Sequence, residues 1–252
     1  MRIENSFIPV RGVGEKTERR LWENGITHWD DFDGSVVGST LADRIETYIE
    51  TGRTHLERGD VSYFADTLPA SSSWRLYENV RDDACFLDIE TTGLDASCND
   101  VTTVSVHRDG ETKTFVKDRD LTAERLQTEL ERSSLLVTFN GQRFDVPFLE
   151  TCYDVDASVP HVDLMYCCRK LGLSGGLKQI ERDLGIERDM PDISGRDAVR
   201  LWHEYERGDD RALETLVEYN RADTVNLEEL MDLVAKQLHQ EVFESVRTTR
   251  PE

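Results

Sequence analysis

No stretch of the sequence approaches the eighteen or so continuous apolar residues that a membrane-spanning helix needs. The N-terminus also lacks the basic stretch and apolar core of a secretory signal, so a cytoplasmic protein without membrane contact is expected. Cysteine is scarce and badly arranged for cross-linking. The five cysteines, at positions 85, 98, 152, 167 and 168, include no C-x-x-C pair and are odd in number. They suggest neither a zinc site nor a disulfide framework, and are expected as small, partly buried apolar residues. Internal repeats and low-complexity tracts are absent. Lysine is rare too, supplying only six of the 30 basic residues.

Acid is abundant, and the formal net charge is −21. Such a charge ordinarily opposes a nucleic-acid partner, because affinity for phosphates comes from Lys and Arg. The acidity is spread along the whole chain, unlike a disordered acidic tail. An arginine-rich, lysine-poor acidic surface is expected of a protein from a salt-accumulating, halophilic organism. At about 1 M salt the Debye length falls to roughly 3 Å, which removes most long-range repulsion from an anionic partner. The charge therefore describes the milieu more than the partner.

Three stretches follow from the pattern. Residues 1–55 form a small helical module, with a run Glu15–Asn24 closed by Gly25 and a second amphipathic run near Leu41–Glu50. Residues 56–80, broken by Pro69 and Ser71–Ser73, are expected as a connector. The main domain is expected over 81–240, with a tail over 241–252. It opens on a buried strand, Ala84–Ile89, followed by strand-like Val101–Arg108 and Thr112–Val116 around the hairpin signal Asp109–Gly110. A helix over Leu121–Arg132 and a buried strand over Leu135–Phe139 come next. Helical patterns then cover Pro147–Tyr153, Asp163–Leu171, Leu177–Leu184, Arg196–Glu206 and Arg211 to about Val246. A three-strand meander followed by alternating helix and strand predicts an α/β fold, a mixed sheet flanked by helices.

The most informative segment is Phe86-Leu87-Asp88-Ile89-Glu90-Thr91-Thr92-Gly93-Leu94. Asp88 and Glu90 are two apart on a strand and so share a face. Two acids at the end of an apolar strand repel each other and resist desolvation unless a cation lies between them. A hard, oxygen-liganded ion such as Mg²⁺ or Mn²⁺ suits them. With 51 acids in 252 residues, acid-x-acid pairs also arise by chance. Asp118/Asp120 and Asp154/Asp156 lie in polar surroundings and read as solvated surface.

A second element ends a buried strand at Asn140–Gly141 and places Asp145 near the start of the next helix, just before Pro147. A helix cap and a metal ligand are equally good readings of Asp145 by itself. The third element is Tyr219-Asn220-Arg221-Ala222-Asp223, where Tyr219 and Asp223 share a helix face. Tyr205 and Asp209 have the same spacing, but Asp209 falls in a turn. Asp223 lies among Leu213, Leu216, Val217, Leu227 and Leu230, where an acid needs a compensating partner.

Asp-Ile-Glu after a strand, Asn-x-x-x-Phe-Asp after a later strand and Tyr-x-x-x-Asp on a late helix resemble the three motifs of the DEDD exonuclease superfamily, in its tyrosine-bearing branch. Phe86–Leu94, Gly176-Leu177-Lys178-Gln179-Ile180-Glu181 and Tyr219–Asp223 most closely resemble YprB-like ribonuclease-H-like domains. The resemblance spans roughly residues 60–235 and includes Trp74-Arg75-Leu76. It implies a ribonuclease-H-like fold and two-metal phosphodiester hydrolysis, most often with 3′–5′ polarity on DNA or RNA. Asp88, Glu90, Asp145 and Asp223 would hold two Mg²⁺ or Mn²⁺ ions about 4 Å apart, one activating water and one stabilising the leaving 3′ oxygen. Tyr219, with a solution pKa near 10, would orient the water. Thr91, Asn140 and Lys178 are candidate contacts to nucleic acid, Lys178 because it opens a helix from a Gly-Gly-Leu-Lys turn; a solvated lysine at a helix start is an equally good reading. His161 and Asp163, at a strand-to-helix step, are expected to make structural hydrogen bonds.

Val10-Arg11-Gly12-Val13-Gly14-Glu15-Lys16-Thr17, with Leu21 and Asn24-Gly25-Ile26, resembles a helix-hairpin-helix motif. There Gly12, Gly14 and Lys16 would meet a DNA phosphate at a helix N-terminus; packing alone is the other use of such a motif. Two other functions remain open for the chain: a structure-specific endonuclease on the same fold, and a nucleic-acid-binding factor that does not turn over.

Overall fold

The computed structural model describes residues 1–188, 190 and 193–247. Two compact units emerge: Met1–Arg81 together with the residues from Leu233 on, and Asp82–Asp232. Among the described residues no helix is long and apolar enough to cross a membrane.

The first unit begins with a 3-10 turn at Ile3–Asn5, followed by α1 (Glu15–Glu23), α2 (Ser39–Glu57) and α3 (Ser62–Ala65). Phe7, Leu21, Ile45 and Phe64 are fully buried. Residues 56–80, expected as a connector, carry α3 and a ten-residue 3-10 stretch, Ala70–Asn79. The serines do not break that stretch, since Ser73 Oγ donates to the Ala70 carbonyl at 2.8 Å. Trp74, Leu76 and Tyr77 are buried from it, and burying such apolar groups holds the segment in place. Arg75 is buried with them and pairs with Glu18 of α1 at 2.8 Å. The expected tail at 241–252 begins in a π-helical turn, His239–Glu244, whose Phe243 packs edge-on against Trp22 at 5.1 Å. Its last residues, 248–252, lie outside the described ones.

The second unit is built on a five-stranded mixed sheet of order β3-β2-β1-β4-β5. The strands are β1 (Ala84–Thr91), β2 (Val101–Arg108), β3 (Glu111–Val116), β4 (Leu135–Thr138) and β5 (His161–Asp163). β1, β2 and β3 form an antiparallel meander, whereas β1–β4 and β4–β5 pair in parallel. The β2–β3 turn uses Asp109 and Gly110, both at positive φ (51° and 72°), the combination a right-twisted two-residue hairpin needs. The mixed sheet with flanking helices is the architecture expected from the strand and helix pattern.

β1 is the central strand, and its alternation decides what each face carries. Cys85, Leu87 and Ile89 join one hydrophobic cluster with Leu126 and Leu130 of α4 (Ala123–Glu131) and Phe148 and Leu149 of α5 (Asp145–Tyr153). Burying each of these larger side chains stabilises the fold by about 1.5–3 kcal/mol. Asp88 and Glu90 therefore project from the opposite face. The chain continues through α6 (Leu164–Lys170), α7 (Leu177–Leu184), α8 (Gly195–Glu206) and α9 (Asp210–Leu238). At the end of β1 the pairing with β2 slips: Glu90 faces Thr103, but Thr91 faces Val101. Such a bulge bends the strand end and re-aims its side chains.

Candidate active site

Asp88 and Glu90 lie opposite Ser105 and Thr103 on β1. From α9, Asp223 reaches the same place, and one carboxylate oxygen from each of the three lies within 4.8 Å of the others. At that separation each like-charged pair costs about 3 kcal/mol at an effective dielectric of ~20. Burial foremost, and then the charges of Asp145, Glu90 and Asp223, push the Asp88 carboxyl well above the usual range. Glu90 rises likewise through burial, Asp223 and Asp145, opposed by Lys178. Burial also raises Asp223, with Arg188 as the main opposing influence. Three oxygen-donor acids held together against their own repulsion make a fitting cradle for a hard divalent cation.

Asp145 is the first residue of α5 and is buried, 4% exposed. The N-cap position belongs to Phe144, which makes no side-chain cap, so the capping reading of Asp145 does not hold. Burial raises its carboxyl to about 7, partly offset by backbone hydrogen bonds that include one from Ile89, the residue between Asp88 and Glu90. Asp145 thus stands at the border of the cluster and acts on Asp88 and Glu90 through its charge, outside the close triplet.

The turn that delivers Asp145 is tightly specified. Asn140 takes a left-handed conformation (φ 64°), and its amide donates to Asp163 Oδ1 at 2.7 Å. Gly141 passes so close to β4 that a Cβ there would lie 2.2 Å from Thr138 Oγ1. Asp163 also accepts from Gln142 N at 3.2 Å and caps α6 through Met165 N at 3.0 Å. His161 Nε2 shares a hydrogen bond of 2.8 Å with Thr138 Oγ1, and burial lowers its pKa to about 4, keeping it neutral. Both residues make the structural bonds expected of them.

On α9, Tyr219 is buried and its hydroxyl bonds to Asp223 one turn on. Burial first, then the Asp223 and Glu90 charges, hold the phenol far above 10, so it stays protonated. Lys178 of α7 places Nζ 5.0 Å from the centre of the Tyr219 ring. Three further residues complete the site. Fully buried Asn220 donates to Asp88 Oδ2 at 2.8 Å and to the Asp88 carbonyl at 3.2 Å. Arg188 pairs with both Asp223 and Glu181. Sequence reasoning missed Arg188 and noticed Asn220 and Glu181 only as members of motifs, without a role.

Asp88, Glu90, Tyr219, Asp223 and Lys178 are thus gathered together, with Asp145 at their edge. Thr91 is placed differently. It is buried, and its hydroxyl donates to the Gly93 carbonyl at 2.6 Å, so it serves the turn after β1. Gly12, Gly14 and Lys16 belong to the other unit. Gly12 is left-handed there (φ 101°), Gly14 precedes α1 and Lys16 is exposed. The 3-10 turn at Ile3–Asn5 occupies the place of a first helix.

A profile described as RNase_H superfamily matches residues 85–235, more than half of the chain. The chain belongs to the RNase_H superfamily. No curated protein sequence matches it. Among solved structures, Brucella melitensis NrnC with bound Mg²⁺ is similar to this RNase_H-superfamily chain at TM-score 0.46 and 19% identity, covering 68% of this chain and 82% of NrnC. A nuclease solved in its apo form gives 0.45 and 20%, covering 66% of this chain and 78% of the nuclease. The family B DNA polymerase from the hyperthermophilic archaeon Pyrobaculum calidifontis gives 0.47 and 17%, covering 66% of this chain but 27% of the polymerase.

Proposed function

We propose that this RNase_H-superfamily chain is a divalent-metal-dependent nuclease of the tyrosine-type DEDD class, acting as a 3′–5′ exonuclease on DNA or RNA. The observation that carries this reading is the close triplet of Asp88, Glu90 and Asp223, with ligand oxygens within 4.8 Å of one another, beside buried Asp145. An acidic cluster that burial drives toward protonation gains a compensating charge when it binds Mg²⁺ or Mn²⁺. Two such ions, when bound, supply the Lewis-acid charge stabilisation that phosphodiester hydrolysis requires.

The chain's own residues have separable roles in this reading. Asp88, Glu90, Asp145 and Asp223 hold the ions. Tyr219, protonated and bonded to Asp223, orients the attacking water with its hydroxyl. Lys178 takes a phosphate of a single-stranded end, its ammonium standing beside Tyr219. Asn140, two residues after β4, offers its side chain as a further contact to the nucleic-acid strand in this reading. Within the superfamily, the motifs around Asp88, Lys178 and Tyr219 support a YprB-like assignment.

The N-terminal residues 1–55 act in this reading as a helix-hairpin-helix module. Left-handed Gly12, open Gly14 and exposed Lys16 at the start of α1 suit a phosphate contact. The protein works in a salt-rich cytoplasm, where its net charge of −21 no longer repels nucleic acid at range.

A panel of 5′- and 3′-labelled single-stranded, duplex and flapped DNA and RNA, incubated with Mn²⁺ in high KCl, tests this. Progressive shortening from the 3′ end of a 5′-labelled strand, abolished by EDTA, is the expected result. A discrete cut at a flap junction would establish the endonuclease, and binding without cleavage of any substrate would establish a silent binding factor.

A further inference from the structure

Arg188 lies between two carboxylates, its side chain 8% exposed, with Nη1 on Glu181 and Nη2 on Asp223. Glu181, on α7, is fully buried, and its other oxygen accepts from Asn226 Nδ2 at 3.1 Å. Asn226 also donates to the Glu187 carbonyl at 3.3 Å, bracing the chain just before Arg188. The contacts close a ring: from Asn226 on α9 to Glu181, to Arg188, and back to Asp223 on the same helix three residues earlier.

Glu181 and Arg188 cancel, so together they bring no net charge to the acidic cluster. What they contribute is direction. Asp88 and Glu90 are fixed by a central strand, and Asp88 additionally by Asn220. Asp223 projects from a helix, and the like charges of Asp88 and Glu90 favour its turning away. A planar guanidinium spanning two carboxylates holds Asp223 Oδ1 and so fixes the orientation of that carboxylate beside Asp88 and Glu90.

We infer that Arg188, clamped by Glu181, is a positioning residue that fixes Asp223 as a ligand and so sets the affinity of the site for divalent cations. The inference rests on the metal site proposed above. Partners of this kind, one step removed from the ion, typically change metal affinity by 10- to 100-fold.

The test is Mn²⁺ titration of the full chain in high KCl, followed by calorimetry or by loss of the free-ion EPR signal, without nucleic acid. Arg188→Gln, Arg188→Lys and the double variant Glu181→Gln/Arg188→Gln are compared with wild type, with far-UV circular dichroism as the folding control. All three are expected to fold and to bind Mn²⁺ about tenfold more weakly. Lysine does not rescue, because one ammonium cannot span both carboxylates in a fork. The double variant leaves no unpaired charge at Glu181, so it decides the matter if Arg188→Gln fails to fold. Wild-type affinity in the variants, with only a lower melting point, makes Arg188 a plain structural ion pair and overturns the inference. Tighter binding makes it a competitor of the ion and overturns it equally. A wild type that binds no Mn²⁺ overturns the metal site itself.

Discussion

Asn220 donates its side-chain amide to the carboxylate of Asp88 at 2.8 Å and to the Asp88 carbonyl at 3.2 Å, joining α9 to the central strand at the cluster. It is fully buried, and its hydrogen bond eases the charge on Asp88. Replacing Asn220 by Ala therefore removes both bonds and leaves Asp88 more exposed to its acidic neighbours. A stability loss of about 1–3 kcal/mol is expected in urea unfolding without metal, with an unchanged slope. An unfolding midpoint equal to wild type would show that the bond contributes nothing.

Stability without metal should fall as the pH rises from about 4 to 7. Asp145 has a folded pKa of about 7, and Asp88, Glu90 and Asp223 are also raised. A carboxyl whose folded pKa is raised binds more protons in the native than in the unfolded state across this window. Its contribution is fully present below the unfolded value near 4 and is lost as pH rises through the folded one. His161, lowered to about 4, works in the opposite sense: it favours folding above 6.5, and that contribution is lost as pH falls toward 4. Melting curves in EDTA should show a shallower decline for Asp145→Asn than for wild type, and added Mn²⁺ should abolish the wild-type decline. A wild-type melting point that rises steadily over this window in EDTA contradicts the assignment.

Tyr219→Phe keeps the ring beside Lys178 and removes only the hydroxyl. Mn²⁺ affinity and fold should survive, while single-turnover cleavage slows by about 10²-fold or more, the low end for a group that positions or transfers a proton. Unaltered cleavage would remove Tyr219 from the reaction.

In the N-terminal unit the ion pair of Glu18 and Arg75 is buried at 2.8 Å, and Glu18 also accepts from the Phe7 amide at 2.7 Å. Glu18→Ala strands a buried guanidinium and should destabilise the protein by about 3–5 kcal/mol. The matched double substitution Glu18→Met/Arg75→Met should recover much of this. Chemical denaturation of both variants distinguishes a required pair from a dispensable one.

Much of the fold is legible because β1, β2 and the Asp109–Gly110 turn each obey a local rule: an apolar run, an alternation of polar and apolar residue types over Thr103–His107, and a left-handed pair. Asp88, Glu90 and Tyr219/Asp223 are legible for the same reason, since spacing on one strand or helix fixes their shared face. Asn220 was within reach of the same reasoning. Leu216, Asn220, Thr224 and Leu227 recur at helical spacing and are all fully buried, so a polar residue in that stripe signals a partner. Arg188 offers no such signal. Its role depends on the segment after α7 returning to α9, a tertiary event that no spacing encodes, and in a chain with 24 arginines it reads as surface. The 56–80 stretch misled through its proline and serines, whose turn-forming habit was satisfied inside a 3-10 stretch that buries Trp74 and Leu76.

The most direct test of the metal-centred account is cleavage of a 5′-labelled single strand by wild type, Asp88→Asn and Asp223→Asn, each with Mn²⁺ and with EDTA, after circular dichroism has shown all three folded. The account predicts a ladder from wild type with Mn²⁺ alone, and none from either variant under either condition. A ladder that persists in EDTA, or in folded Asp88→Asn with Mn²⁺, would contradict it.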